Sequence, residues 1–258
     1  MKNISILLIS IVFLFSCKKK AAETPTIDTS TNVELKFQHF AGSELLAFNK
    51  EYVNSSNETF NITALKYYVT NVTLIKNDGS KTSIPDTYFL IDASKNDASS
   101  TYGVKLRKVP EGNYSGISFL IGVDSAKTVS GALAGDLAPE ADPEHLEWVW
   151  EGYIGMYFTG TSPASPKSDK SFAYRVFGYK GIYNALQTVT INFGETLLMA
   201  KQNAVPSVHL YVDLLKVFKN PNTLSIAKTP ETQRAADSTN QAISRNYADM
   251  FSLAHIHN

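Results

Sequence analysis

Cysteine is almost absent from this chain. Cys17 is the only one, so no disulfide can form within it. An excess of charge of either sign is missing too. The 24 Lys and Arg balance 24 Asp and Glu, and nucleic-acid recognition, which needs concentrated basic side chains, has no support. No apolar run reaches the ~20 residues of a membrane-spanning helix. There is no phosphate-cradling glycine loop, no HExxH pair and no GxSxG elbow, so the usual nucleotide-binding, zinc-protease and serine-hydrolase readings have nothing to rest on. Histidine is scarce, with His39, His145, His209, His255 and His257 making the full set of five.

The N-terminus has the layout of an export signal: Lys2, an apolar stretch from Ile4 to Phe15, then Ser16 before Cys17. Leu14-Phe15-Ser16-Cys17 resembles a lipobox, with Phe15 bulkier than usual; the bland alternative is a stray thiol in a cleaved peptide. Residues 1–16 are expected to be a signal peptide. Residues 17–32 are expected to be a lipidated N-terminus and flexible tether, because Ala21 to Asn32 holds almost no bulky apolar side chain. Several acyl chains on Cys17 would anchor the protein stably where one would not. Lys18, Lys19 and Lys20 can pair with headgroups. The expected location is the cell envelope, lipid-anchored at the outer membrane, facing either side.

Residues 33–258 are expected to form one domain. Aromatics are 11% of the chain, an enrichment that suits strands. Val33, Leu35, Phe37 and His39 alternate with polar residues, the pattern of a half-buried strand. Strand-like runs recur at Phe60–Val69, Val72–Ile75, Tyr88–Ile91, Tyr114–Val123, Tyr153–Phe158, Phe172–Gly178, Gln187–Phe193 and Ser207–Phe218. Asp78-Gly79 supplies a tight hairpin turn. This spacing predicts a mainly β protein, an antiparallel β-sandwich, immunoglobulin-like or similar. One C-terminal helix is predicted at about 230–251, capped by Thr229, with Pro230 and Glu231 in its first turn.

Two groups of residues carry possible chemistry. His255 and His257 are two apart and share a face in extended chain, and imidazole suits copper and zinc. His209 and His145, taken singly, read equally as hydrogen-bonded core or surface residues. Glu140, Asp142, Glu144, Glu147 and Glu151 form an acidic run without the glycine a calcium loop needs, and read as a solvated loop. Trp148 and Trp150 share a strand face and suit a sandwich core.

Five segments in order, FNITALKYYVTNVTL (60–74), YSGISFLIGVDS (114–125), WVWEGY (148–153), FAYRVFG (172–178) and NYADMFSLAHIHN (246–258), resemble the MbnP family of exported copper-binding proteins. The resemblance implies a β-sandwich and copper held by two histidines, helped in some members by a kynurenine formed from a tryptophan. Trp148 or Trp150 would be the oxidised position, with His145 as a neighbouring ligand. One departure is Arg175, where many relatives carry a histidine; a guanidinium stays protonated and cannot ligate metal. The expected ligand set therefore shifts to His39 with His255 and His257. The expected function is a membrane-anchored metal-binding protein, with copper as the ion and zinc as the alternative, acting in acquisition, buffering or delivery rather than as an enzyme. Redox activity at a copper site stays open. The competing reading is a surface module that recognises carbohydrate or a protein partner.

Overall fold

The computed structural model describes residues 29–131, 134–138, 152–233 and 235–258. Cys17, the acidic run, His145, Trp148 and Trp150 lie outside these residues. The strands are β1 (Thr31–Ala41), β2 (Glu44–Leu45), β3 (Glu51–Val53), β4 (Thr59–Ile75), β5 (Lys81–Ser83), β6 (Tyr88–Asp92), β7 (Thr101–Val109), β8 (Gly112–Tyr114), β9 (Gly116–Ile121), β10 (Met156–Thr161), β11 (Ser171–Val176), β12 (Gln187–Asn192), β13 (Leu198–Ala200), β14 (Ser207–Asp213) and β15 (Phe251–His257). A short helix α1 (Ser125–Ser130) and the longer α2 (Ser238–Ala248) complete the frame.

Strict alternation of buried and half-buried residues along β1 makes it the spine of one sheet. Its order is β15-β14-β1-β2, with β7 also on β1. The β1–β14 pair is parallel, while β15 and β7 run antiparallel to their neighbours. The second sheet, β11-β10-β4-β9-β12, is antiparallel around the long β4, which also pairs β3, β5 and β6. The two sheets pack as a sandwich. Val33, Leu35 and Phe37 from β1 and Val208, Leu210 and Val212 from β14 are buried with Leu65, Tyr67, Phe119 and Phe158 of the opposite sheet. Edge-to-face rings knit the layers: Phe37 lies 6.2 Å from both Tyr67 and Phe119, and Phe119 lies 5.3 Å from Phe251 of β15. Each such ring buried contributes ~1.5–3 kcal/mol, so β15 is pinned to the core through Phe251.

The sandwich and its C-terminal helix agree with the sequence expectation, with four differences. Of the expected strand Ser207–Phe218 only Ser207–Asp213 is extended, and Leu214–Phe218 turns into a short 3-10 helix capped by Asp213. Phe60–Val69 and Val72–Ile75 are one continuous strand, β4, carried past Asn71 at φ 52°. β7 is a strand outside the predicted set, although Tyr102, Val104 and Leu106 alternate with Gly103, Lys105 and Arg107 and pack on the core. The helix begins at Ser238, not near 230. Thr229 to Thr232 are instead drawn to the edge of β11: Ala173 N–H donates to the Pro230 carbonyl (2.8 Å) and Thr232 N–H to that of Ala173 (3.1 Å). Asp237 is the actual cap, accepting from Asn240 N–H at 2.7 Å.

Helix α2 then sets the start of β15. Ile243 and Tyr247 are buried, and Tyr247 Oη donates to the Ala185 carbonyl at 2.8 Å. Asn246, fully buried, donates to the Val217 and Asn222 carbonyls at 2.8 and 2.7 Å.

Candidate metal centre

The register of two strands, β14 and β15, assembles the site. His209 of β14 is paired with His255 of β15, and Ser207 with His257, so His257 sits diagonal to His209. On β14, Val208, Leu210 and Val212 take the inner face, which leaves His209 outward. β15 is less simple. Phe251 and Leu253 point inward, and strict alternation would carry His255 and His257 inward with them. A register shift between His209 and Leu210 leaves Ala254 without a partner, as an extra residue. This bulge moves Ile256 to the inner face and both histidines to solvent.

All three imidazoles therefore meet on the outer face. The His209 and His255 rings stack at 4.2 Å, His255 and His257 lie 4.6 Å apart edge to face, and His209 and His257 are 5.0 Å apart. One ring nitrogen from each falls within 4.8 Å of the others. Ligands at ~2.0–2.1 Å from one ion lie ~3.3–4.2 Å from each other, so small side-chain rotations close the set. Ser207 Oγ lies 3.0 Å from His209 Nε2, which leaves Nδ1 as the unengaged nitrogen. Asn258 fixes the far end of β15: its Oδ1 accepts from Met199 N–H at 2.7 Å and its Nδ2 donates to the Leu197 carbonyl at 3.0 Å.

The electrostatics favour a neutral His209. Burial first, then the neighbouring His255 and Lys36 charges, push His209 down from 6.5 to about 4. Its imidazole is thus unprotonated at neutral pH, the form that ligates metal. A His₃ set with open positions is a known zinc arrangement, and imidazole equally suits copper.

His39 does not join this cluster, contrary to the expectation that it would meet His255 and His257. It belongs to the inner face of β1 and is fully buried. The Ser100 carbonyl can only accept, so His39 Nδ1–H donates to it at 3.3 Å. Tyr67 Oη then donates to Nε2 at 3.0 Å. Neither nitrogen keeps a lone pair for an ion, and burial pushes His39 down to about 4. Among the histidines of the described residues, the partner that completes the terminal pair is His209. The signal available was its position on an alternating strand, outward between Val208 and Leu210. Arg175 sits on β11 in the other sheet, its guanidinium 5.1 Å over the Tyr157 ring, away from the three histidines.

Beside the cluster lies an open trough of about 540 Å³ on the same sheet face, lined in part by Lys36, Ser99, Thr101, His209 and His255. Fold and site together define a β-sandwich whose outer face carries three convergent, solvent-facing imidazoles. The family model for MbnP matches residues 30–237, and the chain belongs to the MbnP family. Among solved structures it is similar to MbnP from Methylosinus trichosporium, with a TM-score of 0.56 and 15% identity over 88% of this chain and 98% of that one. At that identity the likeness concerns the fold. No curated protein matches the chain. The matched segment includes His209 but ends before His255 and His257. Among the described residues no helix is long and apolar enough to cross a membrane.

Proposed function

We propose that the protein is a cell-envelope metal-binding protein, lipid-anchored through Cys17, that holds copper at His209, His255 and His257 and serves acquisition, buffering or delivery rather than catalysis. The observation that carries this reading is the convergence of three outward imidazoles by strand register, with nitrogens within 4.8 Å. Family membership supports copper over other ions. Zinc is the alternative the ligand set also accepts. When bound, the ion would bring an open coordination position to the sheet surface, while the three side chains hold it and Ser207 orients His209.

The test is copper titration of the full chain beside three variants. His209→Ala, and the double variant His255→Ala/His257→Ala, are expected to weaken binding at least ~100-fold, beyond the effect of an outer-shell change. Arg175→Ala is expected to change nothing. Equal affinity in wild type and the His209 variant overturns the assignment.

A specific observation favours one second reading. Phe40 and Tyr211 pack edge to face at 5.0 Å beside a shallow groove that includes Asp213, Lys216 and Ser252. Such a pair suits a sugar ring. Protein purified without chelator that holds no copper, even after copper is supplied, would favour that reading.

A further inference from the structure

One row of residues crosses four adjacent strands on the outer face. Gly103 of β7 is paired with Lys36 of β1, Lys36 with His209 of β14, and His209 with His255 of β15. Neighbouring strands are ~4.8 Å apart, so these positions form a continuous line. The side chains along it change from none, to ammonium, to imidazole, to imidazole. The missing side chain at Gly103 helps form the trough, since a Cβ there would meet Lys36 Cγ at 3.9 Å. Lys36 therefore lines the trough between Gly103 and the histidines.

Among the described residues Lys36 makes one ion pair, with Glu34 at 3.2 Å, both side chains being about one third exposed, and its charge also reaches the Asp97 carboxylate across the trough. Such surface pairs are worth ~0–1 kcal/mol, so an incoming anion can replace Glu34 at little cost. The trough volume of about 540 Å³ falls in the range of small-molecule sites. It is far larger than a lone water or chloride needs. Ser99, Thr101 and Gln38 border it with hydroxyl and amide groups, beside Lys105 and the Asp97 carboxylate, to which Ser99 Oγ donates at 2.6 Å.

From this row we infer that the trough is a binding site for a small hydroxylated carboxylate, whose carboxylate bridges Lys36 and the open position of an ion on His209, His255 and His257, and whose hydroxyls meet Ser99 and Thr101. The inference rests on the three-histidine metal site proposed above. It goes beyond that site by assigning Lys36 and Gly103 a ligand of their own. Three imidazoles leave a metal with at least one exchangeable position. An ammonium one strand away selects an anion for it, by a charge-assisted hydrogen bond. The protein would then hold metal as a ternary complex, and a soluble carboxylate would modulate its hold on the ion.

The experiment uses the full chain loaded with copper(II), with gluconate and acetate as probes. The copper spectrum follows anion binding, and gel filtration followed by metal analysis checks that copper stays on the protein. Gluconate is expected to shift the spectrum saturably and to bind at least ~10-fold more weakly without copper. Lys36→Met is expected to weaken both anions about 10-fold while copper affinity, relieved of the neighbouring positive charge, is no lower than wild type. Gly103→Val, which adds side chain where ordinary contact allows it, is expected to weaken gluconate and spare acetate. Copper binding with no anion response, or a response identical in the Lys36 variant, overturns this inference and leaves the metal site standing. Failure of copper to bind removes both.

Discussion

The two faces of the β15-β14-β1-β7 sheet use the same side chain in opposite ways. On the inner face, His39 is fully buried, both ring nitrogens are hydrogen-bonded, and burial holds it neutral. On the outer face, His209, His255 and His257 lean on one another within 4.8 Å. Only strand parity separates the cases: His39 shares its side of β1 with Phe37, whereas His209 lies beside Lys36, one residue off that parity. A histidine's chemistry here is decided by which side of a strand it occupies, because one side supplies fixed protein partners and the other leaves lone pairs for an ion.

The largest effect that breaks this comparison is on stability. His39→Leu leaves the buried Tyr67 hydroxyl without its partner, which costs ~1–3 kcal/mol, while the Ser100 carbonyl keeps the backbone N–H of residue 39. Urea unfolding at pH 7 is expected to show that loss, with copper affinity unchanged. The pH dependence sharpens it. His39 has its folded pKa depressed to about 4 from 6.5. Between those values the unfolded chain binds more protons, so wild-type stability is fully present above 6.5 and falls as pH drops toward about 4. A difference of this size amounts to roughly 3 kcal/mol. The variant lacks that slope, so its deficit at pH 7 should shrink or reverse near pH 4. A deficit that stays constant across the range would show that His39 matters only through packing. The profile is best measured in chelator-treated protein, with His209→Ala as the control for the second depressed histidine.

A smaller effect is expected on the outer face. Ser207 is buried beneath the cluster, with Oγ 3.0 Å from His209 Nε2. Groups that orient a metal-ligating histidine are worth ~10–100-fold in affinity. Ser207→Ala should sit at the low end, about 10-fold, because His255 and His257 keep the ion near. Calorimetric titration with copper checks this, and no change would mean that stacking on His255 alone orients the ring.

Much of this contrast was legible in the sequence. The alternation of Val33, Leu35 and Phe37 placed His39 on the core side, and the spacing of His255 and His257 placed those two together. The segments that resembled the family also fixed the sandwich. What stayed hidden depends on pairing between distant strands. β7 is the exception: Tyr102, Val104 and Leu106 alternate with Gly103, Lys105 and Arg107, a short apolar face cut off where the register shifts around Lys108 at φ 55°. Its strand state comes from hydrogen bonds to β1. The parallel contact of β1 with β14 brings Lys36 beside His209 across more than half the chain. The late start of α2 reflects competition: residues after Thr229 gain sheet hydrogen bonds from β11 that a helix would forfeit.

The parity of β15 was partly readable too, and it supports the smallest expected effect. Phe251 and Leu253 set one parity, and Ile256 breaks it. Since both runs are inward-facing, an extra residue must lie between them, and the ladder puts it at Ala254. Removing Ala254 would leave Phe251-Ser252-Leu253-His255-Ile256-His257 in unbroken alternation. The partners would stay as they are, with Leu253 opposite Leu210, His255 opposite His209 and His257 opposite Ser207. The bulge then turns the histidines outward only by absorbing the extra residue, restoring a parity that Ala254 would otherwise invert. Deletion of Ala254 should leave copper affinity within ~3-fold of wild type and the unfolding midpoint no lower, since a regular edge pair replaces a disrupted one. A loss of ~10-fold or more, about 1.4 kcal/mol, would show instead that the local twist of the bulge is what brings His255 against His209.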